Sequence, residues 1–271
     1  MRDLRVQVLS WGLGMGAMLA LTVFMFPSLA ELYGPLIDGL PEAWAGFIGE
    51  ADTGTIEGFL SLEFFSRAPL AFAVFAILSG GSLIVGEETN GTMDLLLSQP
   101  ITRFRLLIVK FSAFTAALVL MIGITALGFV IPAILIGEVD SFGRFGNAFL
   151  LLLPFEMMVA LAASLVAQLF ASRLAGGTIL AGVLVASYML DALSGLSQAL
   201  VEIRPLYITS YFQGAEALSG DVSWGYLGFS LTAVVLLATA NVLFFVRRDV
   251  GVDGRLRLPR LRFSRAGASE K

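Results

Sequence analysis

Gly86-Glu-Glu-Thr-Asn-Gly-Thr-Met-Asp-Leu-Leu-Leu-Ser-Gln-Pro-Ile-Thr-Arg-Phe-Arg105 is a polar island between two long apolar runs, 68–85 and 108–136. Such confinement of polarity to the gaps decides the fold, because a helix needs about 20 apolar residues to cross roughly 30 Å of hydrocarbon. Outward from the island, six runs reach that length: about 11–30, 68–85, 108–136, 148–170, 174–193 and 224–246. In lipid the backbone must satisfy its own hydrogen bonds, so each run is expected to be helical. The expected fold class is therefore an all-α membrane protein with six transmembrane helices.

Composition agrees. Of 271 residues, 57% are hydrophobic and 14% charged, against about a quarter charged in an ordinary soluble domain. The chain has no Cys and no His. That removes thiolate and imidazole metal sites, haem axial histidines and Cys or Ser-His nucleophiles, so an enzyme of the usual kinds is not expected, nor a metal site.

Lys and Arg set orientation. With the N-terminus inside, 14 of the 17 basic residues fall in inner segments, and only Arg67, Arg144 and Arg204 fall outside. Both termini are thus expected in the cytoplasm of a multi-pass plasma-membrane protein. The first outer loop holds seven acids between Glu31 and Glu63 and reads as a solvated face or a cation-attracting vestibule. Residues 1–10 read as the start of the first span or as an amphipathic helix on the inner surface. Ser28-Leu29-Ala30 offers the alternative of a small-x-small signal cleavage site. The tail 250–271 interleaves five arginines with Leu256, Leu258, Leu261 and Phe263. It reads as a disordered contact for anionic lipid and not as a nucleic-acid site.

Within the island, Thr89 or Asn90 is placed to cap a short helix, Asp94 sits in its first turn, and Met93, Leu96 and Leu97 share one side before Pro100 ends it. Two turns of helix have no stability of their own in water. The apolar side must rest on the bilayer, on the rest of the chain or in a partner's groove.

Glu87-Glu88-x-x-Gly91-Thr92-Met93-Asp-Leu-Leu96-Leu97-Ser98-x-Pro100-Ile-x-Arg103, followed by Lys110, resembles the cytoplasmic segment of permease subunits of ATP-binding-cassette transporters of the type 2 membrane-component family. Val109 stands where that family often has Gly before the Lys. Leu169-Phe-Ala-Ser-Arg173, Arg204-Pro-Leu-x-x-x-x-Tyr211 and Phe245-Val-Arg-Arg-Asp249 resemble the family's short inner turn, outer segment and C-terminal exit, in the right order. The resemblance implies that residues 1–249 are one six-span permease domain pairing with a second copy or a homologous half. It further implies that the loop between spans two and three offers a coupling helix to a separate nucleotide-binding subunit. The implied docking residues are Glu87, Glu88, Gly91, Thr92, Met93, Leu96, Leu97, Pro100, Arg103 and Arg105. The chain has no G-x-x-x-x-G-K-[ST] phosphate loop, so no cofactor is expected on it, and ATP-Mg would sit on the partner. Export of a lipophilic or amphipathic compound is the implied function; an ATP-independent secondary transporter or channel is the alternative.

Ionisable groups inside a membrane are costly and usually face a cavity or a partner. Glu156, about eight residues into its span, is a candidate for the substrate path or for interfacial exposure. Asp191 reads as lying at the water boundary, and Gln168 and Asn241 as helix-bridging groups. Gly12 and Gly16 have the small-x-x-x-small spacing of close helix contacts, a weak signal in a chain with 29 glycines.

Overall fold

The computed structural model describes residues 2–38, 54–93, 98, 102–137, 142–194 and 197–247, and every regular element among them is helical. In chain order these are α1 (Arg2–Asp38), α2 (Ile56–Leu60), α3 (Ala68–Ser82), α4 (Val85–Thr89), α5 (Arg103–Ile136), α6 (Phe142–Phe170), α7 (Arg173–Leu193), α8 (Gln198–Glu202), α9 (Gly214–Ser219) and α10 (Trp224–Arg247). A π-helical turn, Ser61–Phe65, carries α2 on towards α3. Six helical stretches are long and apolar enough to span a membrane: Leu4–Leu29, Ile56–Ser82, Arg103–Ile136, Phe142–Phe170, Arg173–Leu193 and Trp224–Arg247. The basic tail 250–271 and the segment 39–53, expected in the first outer loop, lie outside the described residues.

The helices start where side chains meet orphan backbone N–H groups. Thr55 accepts from Gly58 N at 3.2 Å, Thr102 from Arg105 N at 3.2 Å and Ser172 from Ala175 N at 3.3 Å. The Thr102 cap places the start of α5 five residues before the apolar run begins. Helix α1 likewise overruns its apolar run at both ends, so residues 2–10 form no separate surface helix, and the chain stays helical past Pro35 to Asp38. Apolar runs report the thickness of hydrocarbon; helices end where capping ends them.

Helix α6 is the most enclosed span and packs against α3, α7, α9 and α10, while α1 packs along α5. Small residues set these approaches. A Cβ on Gly128 would fall 2.1 Å from Gly16 O, and one on Gly80 would fall 2.4 Å from Ala160 O. Gly12 faces Ile124 at the same α1–α5 contact, so the Gly12-Gly16 spacing is a helix contact here. Between the helices, Phe129 stacks on Phe145 with ring centroids 3.8 Å apart, and Phe65 meets Phe149 edge-on at 5.3 Å. Large apolar side chains such as Leu13, Leu120, Leu135, Val235 and Leu236 remain exposed on α1, α5 and α10. On a soluble protein this would be a liability; on a bundle read as spanning a membrane it is the lipid face.

We expect Gly80→Val to be among the most disruptive single changes in the bundle. Its new Cβ meets backbone, not a flexible side-chain end, so α3 and α6 must separate. The cost should reach about 3 kcal/mol, read as loss of monodisperse protein after mild heating in detergent.

Two buried amides tie the bundle near one end. Gln168 Nε2 donates to Asn241 Oδ1 at 2.6 Å, and Asn241 Nδ2 donates to Leu161 O at 3.0 Å. This is the interhelical bridge expected of that pair. Charged groups fall into two sets: Glu87, Arg103, Lys110, Arg173 and Arg247 gather at this end, while Glu57, Arg144, Asp191, Arg204 and Glu216 gather at the other.

Candidate functional site

The island begins where the second span breaks. Leu83 and Ile84 interrupt the helix, and α4 carries Glu87 and Glu88 in one more turn. Asn90 ends α4, Thr89 donates its hydroxyl back to Gly86 O at 3.1 Å, and Gly91 takes a positive φ of 69°. Thr89 and Asn90 therefore close a helix and do not open one, which corrects the expectation that one of them caps the following segment. The left-handed turn at Gly91 is one that other L-residues adopt only under strain.

Glu87 is the hub. Its carboxylate accepts from Lys110 Nζ at 2.9 Å and from the Thr92 hydroxyl, while Lys110 also donates to Leu83 O at 2.7 Å. One ammonium thus pairs the acid and satisfies a carbonyl left open by the helix break. The Thr92 hydroxyl, followed by the Lys110 contacts, holds the Glu87 carboxyl below the usual range, against the opposing pull of partial burial. A group with a depressed pKa stabilises the fold above its unfolded pKa and loses that contribution as pH falls through the folded value. Glu87→Gln should therefore weaken the wild-type advantage at neutral pH and leave less stability to lose on acidification. Melting curves in detergent from pH 7 down to pH 4 check this, and parallel curves for the two proteins would contradict it.

Met93 is only 3% exposed, packed with Ile84, Leu106, Leu107 and Phe245. Of the residues implied to dock on a partner, this one packs here on its own chain. Arg103 also turns inward: its guanidinium donates to Phe245 O at 3.5 Å and lies 5.9 Å from the centre of the Phe245 ring. Arg105 and Ser98 are exposed and Glu88 is half-buried. Leu96, Leu97 and Pro100, and with them the short coupling helix expected here, lie outside the described residues. The island thus gathers Glu87, Thr92, Met93 and Arg103 with Lys110 and Phe245, clamping the second, third and last spans together. The sequence marks Lys110 as interfacial without showing its partner, and Phe245 only as the start of the C-terminal exit. The signal for the first was present: opposite charges at the same interface on consecutive antiparallel spans.

Away from the island, Glu156 is completely buried in α6, with no hydrogen-bond partner for either carboxyl oxygen among the described residues. Interfacial exposure, one of its two expected settings, is thereby excluded. Asp191 ends its span in an ion pair with Arg204 at 3.0 Å and is partly exposed, as a water-boundary residue should be. Arg204 also lies 3.8 Å from Glu216.

No curated protein matches the chain. The break after a second apolar span, the acid-rich turn with its glycine and the basic entry to the third span lie within a six-span helical bundle, and a family model matches most of the chain. That model, described as ABC-2 family transporter protein, matches residues 11–250, and the chain belongs to this family.

Proposed function

We propose that this chain is the membrane-spanning permease subunit of an ATP-driven transporter, coupled through residues 87–105 to a separate ATP-binding subunit. The observation that supports this reading most is the clamp. Because Glu87–Lys110, the buried Met93 and Arg103–Phe245 join three spans at one place, a force on the island reaches all three together. A freely hinged loop would absorb the displacement; a pinned one passes it on. In this account Leu96 and Leu97 carry the apolar contact with the ATP-binding subunit, while Glu88 and Arg105 set its orientation at the rim. Met93 and Arg103 hold the inner side of the lever. The island end faces the cytoplasm in this reading, which the distribution of basic residues supports.

Two such six-span chains, identical or homologous, pair in the plasma membrane, and ATP-Mg is held and hydrolysed by the partner subunits. Closure of those subunits on ATP moves the spans and opens the path to the far side, a coupling that must be reciprocal. The direction is export and the cargo lipophilic or amphipathic, with Glu156 on its path. In inverted vesicles carrying the full complex, a lipophilic fluorescent dye should accumulate only with hydrolysable ATP. Accumulation that survives ATP removal would favour the ATP-independent transporter instead.

A further inference from the structure

A cavity of about 570 Å³ lies between α6, α7, α10 and the connection from Arg204 to Tyr211. Its walls are almost wholly apolar: Met158 and Ala162 of α6, Leu180 of α7, and Phe229 and Ala233 of α10. It begins beneath the connection, at the end of the bundle opposite the island, and reaches the middle of α6 and α7. Phe229 and Leu236, on its α10 wall, are 49% and 64% exposed, so the cavity is open sideways to the face read as lying in lipid.

The mouth is built differently. Tyr211 lines the cavity, stacks on Phe229 with centroids 4.0 Å apart and meets Tyr226 edge-on at 5.3 Å. Its hydroxyl donates to Pro205 O, which fixes the ring. Beside the lining residues Pro205 and Leu206, Arg204 is contacted by two carboxylates, Asp191 at 3.0 Å and Glu216 at 3.8 Å. One guanidinium between two acids leaves the cluster formally at −1. Among the described residues, the other two basic groups read as lying on this side, Arg144 and Arg67, are each paired with an acid, Glu57 at 3.5 Å and Glu63 at 3.1 Å.

We infer that this groove binds small lipophilic cations that enter sideways from the membrane, with the apolar body between α6, α7 and α10 and the positive charge at the Tyr211–Glu216 mouth. The inference deepens the proposed export function by naming a cargo class, and it rests on that reading for its role in transport, though not for the binding itself. Volume selects a small molecule, because sites for drug-sized ligands run from about 300 to 1,000 Å³. The stacked aromatic face and the excess of acid select the sign: both attract a cation and neither attracts an anion. Lateral access selects a compound that partitions into the bilayer over one that arrives from water.

Tetraphenylphosphonium and tetraphenylborate share a shape and differ in sign, so they test the inference directly. The full chain in nanodiscs of neutral lipid, without ATP or an ATPase partner, is dialysed against each, and uptake by empty nanodiscs is subtracted. Saturable binding of the phosphonium is expected, and no saturable binding of the borate when each is dialysed alone. Ala233→Trp, which fills the groove from its lipid-side wall, should abolish that binding. Glu216→Gln keeps the side-chain shape and removes a loosely paired charge; it should weaken phosphonium binding about fivefold. If Ala233→Trp fails to fold, the Gln variant decides. No saturable component above empty nanodiscs, equal binding of the borate, or a phosphonium affinity unchanged in both variants would overturn the inference. Because no nucleotide is involved, such a failure leaves the ATP-coupled reading standing, and loss of ATP-dependent uptake in vesicles would in turn leave the binding result standing.

Discussion

Leu96→Asp combined with Leu97→Asp should leave the chain inserted and folded while abolishing its co-purification with the ATP-binding subunit. On the proposed docking role of Leu96 and Leu97, two carboxylates put in their place must be desolvated against an apolar groove of the partner. At about 2 kcal/mol per central interface position, the pair should cost on the order of 4 kcal/mol, roughly a thousandfold in Kd. The bundle itself should be indifferent, since the island's internal anchors, Met93, Lys110 and Phe245, are untouched. The informative control is Glu87→Ala with Lys110→Ala, which loosens the clamp but keeps both leucines. That variant should retain the ATP-binding subunit and lose ATP-driven transport. Full retention of the subunit by the double Asp variant in detergent would remove these leucines from the docking surface.

The second large effect is expected at Glu156. A carboxyl group with no partner for either oxygen among the described residues, fully enclosed in α6, is a net cost to the fold, since an unsatisfied buried polar group destabilises by about 1 to 3 kcal/mol. Replacement by a leucine of similar bulk should therefore raise the melting temperature in detergent. A group kept at such a cost is explained if it serves the cargo, so Glu156→Leu should also lower transport at least about tenfold, with Glu156→Gln intermediate. Higher stability with unaltered transport would take Glu156 off the cargo path. Lower stability would show that the carboxyl has a partner within the bundle.

These expectations rest unevenly on sequence and structure. The six spans were legible because hydrocarbon thickness imposes a length, and each of the six runs carries at most one charged residue over that length. The separation of Arg103, Lys110 and Arg173 from Arg144 and Arg204 was legible for a related reason: positive charge is costly within the bilayer and collects at its two surfaces. The Gln168–Asn241 bridge could be anticipated because two amides in apolar runs at the same depth have little else to bond. Helix faces were not legible. Spans such as α5 and α6 are apolar nearly all round, so the sequence does not mark which side meets protein and which meets lipid, and the central position of α6 follows only from packing.

The island shows the same division. Its polarity, its Gly91 turn and its place at one end of the bundle follow from residue types. That Met93 and Arg103 would be consumed by Phe245, 142 residues along from Arg103, follows from a tertiary contact with no local signature. The groove under Tyr211 was equally hidden, since its walls come from three spans whose residues carry no pattern distinguishing them from lipid-facing neighbours.

The absence of cysteine from the chain permits a direct measurement of where the ATP-binding subunit sits. Ser98→Cys, exposed within the island, and Leu206→Cys, 78% exposed at the opposite end of the bundle, each provide a single thiol for a photo-cross-linker. In membranes from cells making the complete transporter, the island position should cross-link to a subunit that hydrolyses ATP, and position 206 should not. Cross-linking from position 206 in place of position 98, or equally from both, would contradict the account.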